Sequence, residues 1–314
     1  TKRATDRVRD LFEAPDAAVY FVPTGTSCNA LILATLAQPT DTIFTVAEAH
    51  IHEDECNAPE FYTGGAKLTL IESESARMDP DALHAQMVKR AEFGVHGPQP
   101  GPVSITQVTE RGTVYSLDHI KALSDVAHAR GTKLHLDGAR FANACVALGC
   151  TPAEMSWKAG VDAVSFGGTK NGCMGVEAAI FFDPESAWQF ELRRKRAGHL
   201  FSKHRYLSAQ MDAYMTDDLW HDLATQANDA SKRLKRAIAQ IPEVSFRWEP
   251  QANMIFANFP RATHLRLQAA GVPSYHWDGT LDGDPTKGAT SRLVTDWSCP
   301  DDAIEAFAAY LRGT

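Results

Sequence analysis

Lys133-Leu134-His135-Leu136-Asp137-Gly138-Ala139-Arg140 is a short apolar run that ends on an acidic residue and a glycine. Asp162-Ala163-Val164-Ser165-Phe166-Gly167-Gly168-Thr169-Lys170 repeats the plan with a lysine at its close. Each reads as a buried strand that delivers a reactive side chain just past its carboxyl end. Outward from this pair, runs of the same kind occupy 18–22, 42–46, 67–71, 103–108 and 178–182. Between them lie segments of helical period. Leu83, Met87, Val88 and Ala91 follow Asp79 and Pro80 and stop at Gly94, and Leu117, Ile120, Leu123 and Val126 follow Ser116 and end before Gly131. A capping residue in front and a glycine behind mark each as a helix. Strand-length apolar runs alternating with crossover helices predict an α/β protein with a mostly parallel seven-stranded sheet covered by helices on both faces.

From 184 to about 239 the pattern is continuously helical. Beyond Pro242 it changes to short strands at 254–259 and 291–295 and a closing helix with Ile304, Phe307, Ala308 and Leu311 on one face. This shift predicts a large domain over 1–215 and a smaller C-terminal α+β domain over 216–314. The 314 residues are 44% hydrophobic and 22% charged with a net charge of −8, a globular composition rather than a disordered or fibrous one. The longest nearly apolar stretch, 31–37, is broken by Thr35 and falls far short of the roughly 20 residues of a membrane span. Six cysteines without CxxC spacing point to a reducing, cytoplasmic location. The chain opens on Thr1, and a segment ahead of it is expected. The acidic balance argues against nucleic acid as a partner, and the basic run Arg193-Arg194-Lys195-Arg196 reads as a solvated helix face.

In an open parallel sheet, ligands bind beyond the carboxyl ends of the strands. After the first strand, Thr24-Gly25-Thr26-Ser27-Cys28-Asn29 opens a helix whose unpaired N–H groups suit an anion such as phosphate, although Thr or Gly also serve there as plain caps. It has neither the Walker nor the dinucleotide spacing. After the second, Glu48-Ala49-His50-Ile51-His52-Glu53-Asp54-Glu55 holds two histidines among carboxylates, open to metal binding or to a solvated role. After the fifth, strand alternation puts His135 on the side of Asp137, where the imidazole is expected to orient the carboxylate. After the sixth, Lys170 stands in a glycine-rich turn, and a lysine that forms an imine needs partial desolvation or a nearby cation.

The phosphate cup, Asp-Gly-Ala-Arg and Gly-Gly-Thr-Lys, in this order, resemble the pyridoxal-phosphate enzymes of fold type I, most closely the low-specificity threonine aldolases and their bacterial phenylserine-aldolase relatives. The resemblance runs over nearly the whole chain. It implies pyridoxal 5'-phosphate carried by Lys170 as an imine, with Asp137 at the ring nitrogen and His50 stacked on the ring. Arg140 would contact the ring hydroxyl or the substrate, and Gly25 and Thr26 the phosphate. Arg292 in Ser291-Arg292-Leu293 matches the arginine that grips the substrate carboxylate, and Lys203 the basic residue that reaches a neighbouring subunit's phosphate. The implied assembly is a homodimer or homotetramer with active sites at the interface. Where many threonine aldolases carry a second histidine, this chain has Glu110, so recognition of the substrate hydroxyl is expected to differ.

The implied reaction is reversible cleavage of threonine, allo-threonine or phenylserine to glycine and an aldehyde, with His50, then Glu110, as candidate base for the β-hydroxyl proton. Other fold type I lyases or transaldolases use the same electron sink. A metal-dependent hydrolase built on His50, His52 and Asp137 is the remaining alternative.

Overall fold

The computed structural model describes residues 1–272 and 274–313. Among them, seven strands form one sheet. They are β1 (Ala18–Val22), β2 (Asp41–Val46), β3 (Lys67–Ile71), β4 (Gln99–Thr106), β5 (Leu134–Gly138), β6 (Ala163–Gly167) and β7 (Glu177–Phe181), in the spatial order β1-β7-β6-β5-β4-β2-β3. The pairs from β3 through β6 are parallel, and β7 runs antiparallel to both β1 and β6. Its reversal follows from the connection: residues 168–176 are too few for the crossover that a parallel return needs. The amino end of β7 therefore lies beside the carboxyl ends of β1 and β6.

Local chemistry sets the helix starts as the sequence predicts. Asp79 accepts from Ala82 N–H at 2.8 Å and Ser116 from His119 N–H at 3.2 Å, opening helices Pro80–Glu92 and Leu117–His128. Thr24 does the same for Gly25–Leu36, receiving Ser27 N–H at 3.2 Å. That helix is buried at every position from Ser27 to Ala34, as an all-apolar helix must be. Phe166 meets Phe12 and Phe141 edge-on at 5.3 and 5.5 Å, each contact contributing roughly 0.5–1.5 kcal/mol. This cluster anchors the end of β6 just before Lys170 and the helix that begins after Arg140.

Two expectations are corrected. β4 begins at Gln99 rather than 103, since a register shift against β2 accommodates Pro100 and Pro102. The segment 184–239 is not continuously helical: Ala187–Arg196, Arg205–Tyr214 and Leu219–Ile238 are separate helices, with Asp217 and Asp218 at positive φ before the last. None of these breaks carries a proline or an apolar-period change to announce it.

The chain divides into two compact units, Thr1–Glu110 with Val114–Trp220, and Arg111–Thr113 with the chain from His221 onward. In the second unit, β8 (Ser245–Phe246), β9 (Met254–Pro260), β10 (Tyr275–Asp278) and β11 (Gly288–Val294) form an antiparallel sheet in the order β8-β9-β11-β10. Helix Asp301–Arg312 buries Ile304, Ala308 and Leu311 against Ile255, Phe259 and Ile238. Among the described residues no helix is long and apolar enough to cross a membrane.

Candidate active site

Asp137, next to last in β5, is buried and hydrogen-bonded at both oxygens: Oδ1 accepts from Ala139 N–H at 3.0 Å and Oδ2 from Asn29 Nδ2 at 2.8 Å. Asn29 Nδ2 also donates to Glu55 Oε1 at 2.9 Å, and the same Glu55 oxygen takes His50 Nδ1 at 2.8 Å. The result is a chain from Asp137 through Asn29 and Glu55 to His50. A carboxylate can only accept, so His50 Nδ1 carries the proton and Nε2 of the neutral ring is left as an acceptor. The bond to Glu55 raises the His50 pKa against the opposing effect of burial. Burial raises Glu55 itself, and its bonds from His50 and Asn29 hold that rise back.

His135 does not take the expected role beside Asp137. Its Nδ1 and Nε2 lie 3.0 Å from the Ser104 and Ser165 hydroxyls on the flanking strands, and burial pushes its pKa down to about 4. The reason is register. Ser104 sits directly across from His135, while Asp137 is two residues along the strand, roughly 6–7 Å away. His135 is a neutral strut between strands, and Asn29 orients the carboxylate.

Lys170 lies in the short turn Thr169–Asn171 after β6. Its side chain keeps solvent-exposed surface in densely surrounded protein, as in a concavity. That desolvation lowers its pKa, with help from the Arg140 cation and against Asp137, Glu177 and Glu110. Close approach of the strand ends needs glycine: a Cβ on Gly167 would stand 2.7 Å from the Ala139 carbonyl oxygen. Arg140, half-buried, is the cap of helix Phe141–Leu148.

Glu110 Oε1 accepts from both His50 N–H and Thr106 Oγ1 at 2.8 Å, while its buried Oε2 has no hydrogen-bond partner among the described residues. Burial raises its pKa to about 7. Gly25 and Thr26 form the first helical turn, whose N–H groups have no partner within the helix, and a Cβ on Gly25 would meet nothing within 4 Å.

Lys203 is exposed in the turn before Arg205–Tyr214, and none of the contacts above includes it. His52 lies beside Glu53 at 3.5 Å, and among the described residues no three His, Cys, Asp or Glu side chains are grouped to hold a metal. In the second unit, the Arg292 guanidinium stacks over Tyr275 at 4.7 Å and Trp277 at 5.3 Å, with Arg111 over Trp277 at 5.1 Å and Trp248 at 4.7 Å.

Three participants went unassigned in the sequence reading: Asn29, Glu55 and Glu177. Asn29 left a trace as the one amide in the apolar run Cys28-Asn29-Ala30-Leu31-Ile32, and Glu177 as an acid heading a strand that is otherwise apolar. Glu55 was one carboxylate among several until the fold buried it.

Residues 1–260 match the family of beta-eliminating lyases. The chain belongs to this beta-eliminating lyase family. Among curated relatives, this lyase is 42% identical over 312 residues to the low specificity L-threonine aldolase of Pseudomonas aeruginosa, covering 99% of this chain and 87% of that protein. It is 38% identical to a protein of the same name from a Pseudomonas species, with the same coverage. Of solved structures, a Leishmania major threonine aldolase superposes with a TM-score of 0.89 at 24% identity over 99% of this chain and 88% of that one. Sphingomonas wittichii serine palmitoyltransferase does so with 0.72 at 16% identity over 99% and 75%. These likenesses show that the lyase has the α/β fold of the fold type I enzymes.

Proposed function

We propose that the chain is a low-specificity aldolase that uses pyridoxal 5'-phosphate to cleave L-β-hydroxy-α-amino acids such as threonine, allo-threonine and phenylserine, reversibly, to glycine and an aldehyde. The observation that carries the reading is one pairing. A lysine whose amine is desolvated and biased toward neutrality follows β6, and a buried aspartate hydrogen-bonded at both oxygens closes the adjacent β5.

The residues present fit the cofactor. Open space at Gly25 beside the first-turn N–H groups suits its phosphate, with Thr26 sharing the task. Lys170 would hold its carbonyl carbon, Asp137 would face its ring nitrogen, and the partly exposed His50 ring would cover one face. Arg140 would contact the ring hydroxyl or the substrate carboxylate, and Lys203 the phosphate of a neighbouring copy, in a homodimer or homotetramer. When bound, this cofactor supplies an electron sink for cleavage at the substrate Cα.

The chain's own groups do the rest. An ionised Asp137 favours a proton on the facing ring nitrogen. Arg292 suits the substrate carboxylate because its planar fork meets two oxygens at once, and such a grip selects which Cα bond breaks. His50 Nε2, with Nδ1 committed to Glu55, is the acceptor for the β-hydroxyl proton as the aldehyde leaves. Glu110, bound to the His50 backbone, is the second candidate.

The family description favours a second reading, β-elimination, in which the same site would release a 2-oxo acid and ammonia. Two measurements decide. Borohydride reduction of the protein with cofactor, followed by peptide mass analysis, should place the label on Lys170. Product analysis with threonine and phenylserine should give glycine and the matching aldehyde. Label on another lysine, or undiminished aldehyde release by Lys170→Ala, overturns the site, and oxo acid in place of glycine overturns the reaction.

A further inference from the structure

The reversed strand β7 puts an acid where none is needed for folding. Glu177, its first residue, lies opposite Val22 of β1 on one side and Gly167 of β6 on the other, while Ala178, Ala179, Ile180 and Phe181 complete a fully buried strand. Its carboxyl turns onto the loop that bears Lys170. Oε2 accepts from Gly168 N–H at 3.1 Å, and the Thr169 hydroxyl bonds the same carboxyl while accepting Val176 N–H at 3.1 Å. The two residues immediately before Lys170 are thus clamped by one side chain. A glutamine would clamp them equally well without the cost of burying a charge, which amounts to several kcal/mol even after relaxation. The charge therefore calls for a separate account.

The groups that face this carboxyl are Lys170, Asp137 of β5, Cys28 of helix Gly25–Leu36, Cys173 of the turn and Tyr214 of helix Arg205–Tyr214. Burial pushes Cys28, Cys173 and Tyr214 up, so all three stay neutral near neutral pH. Lys170 further faces Arg140 and Glu110. Arg140 disfavours a charged nitrogen on Lys170, and Glu177, the carboxylate behind the turn, opposes it. We infer that Glu177 is a positioning residue for Lys170: it holds the Gly168-Thr169 backbone and, as a buried anion, sets how readily the Lys170 nitrogen keeps its proton.

This inference rests on Lys170 being the reactive amine proposed above. The test is a pH titration of the cofactor absorbance band in the holoenzyme, for wild type, Glu177→Gln and Glu177→Asp. Glu177→Gln keeps an oxygen for Gly168 but removes the charge, so its midpoint should fall by about one pH unit, the lower end of the effect of a close charge. Glu177→Asp should recover most of that fall. A midpoint in Glu177→Gln unchanged within the scatter of the titration reduces Glu177 to a structural brace and overturns the inference. If Glu177→Gln does not fold, reciprocity supplies the measurement. The 13C-detected titration of the Glu177 carboxyl in apoprotein must move to higher pH in Lys170→Ala, and no movement overturns the inference equally. The two failures are separable. Borohydride label away from Lys170 in wild type sinks the parent reading, while label on Lys170 with unmoved titrations sinks this one alone.

Discussion

Replacing Glu110 by glutamine should stabilise the folded chain, and only at higher pH. Glu110 Oε1 holds two hydrogen bonds that glutamine's oxygen can keep, whereas Oε2 is buried without a partner. Burial raises the carboxyl from 4.5 to about 7. A carboxyl raised in the folded state binds its proton more tightly there than in the unfolded chain. The wild type is thus at full stability below about 4.5 and loses stability as pH climbs through 7. At about 1.4 kcal/mol per pH unit, that rise amounts to roughly 3 kcal/mol once the carboxylate is fully ionised, and water reaching the half-buried residue will trim it. Urea unfolding of apoprotein at pH 5 and pH 8.5, followed by tryptophan fluorescence, is the assay. Glu110→Gln should nearly match wild type at pH 5 and exceed it by about 2–3 kcal/mol at pH 8.5. Equal destabilisation at both pH values would refute the argument, because it would mean that Oε2 is satisfied as a carboxylate.

Asn29→Leu strips one donor each from Asp137 and Glu55, two buried carboxyls, and should cost about 2–4 kcal/mol in the same urea assay; a loss below about 1 kcal/mol would show that the amide does not bridge them. Glu55→Gln should drop the His50 titration midpoint toward or below the ordinary histidine value, read by NMR of 13C-histidine protein, because the bond to Glu55 is the largest cause of its rise. An unmoved midpoint would break the chain at that link. Arg292→Ala should raise KM for the amino acid about ten- to a hundredfold with a smaller change in kcat, the scale of a lost charge-assisted fork. A KM within twofold of wild type would remove Arg292 from carboxylate binding.

Much of the candidate site was readable because strand ends advertise themselves. Asp137-Gly138 and Gly167-Gly168 interrupt apolar runs, and the residues after them have no packing task to explain their type. Asn29 could not be paired in advance with Asp137, since 108 residues separate them and one hydrogen bond of 2.8 Å joins them. The His135 expectation failed for a related reason: alternation tells which face a side chain takes, but the register between strands decides which neighbour it meets.

Periodicity and capping by themselves determined the helices behind Asp79 and Ser116, the seven runs of the sheet and the strand ends that carry Asp137 and Lys170. These are properties of neighbouring residues, governed by backbone sterics, local hydrogen bonds and the alternation of apolar side chains. Tertiary structure alone decided which carboxyls became buried and with what partner: Glu55 under His50, Glu110 with one oxygen unpartnered, Glu177 behind the Lys170 turn. Desolvation depends on everything packed around an atom, whichever part of the chain supplied it. The same acid is a solvated surface charge in one setting and, within this sheet edge, a carboxyl that holds its proton near neutral pH.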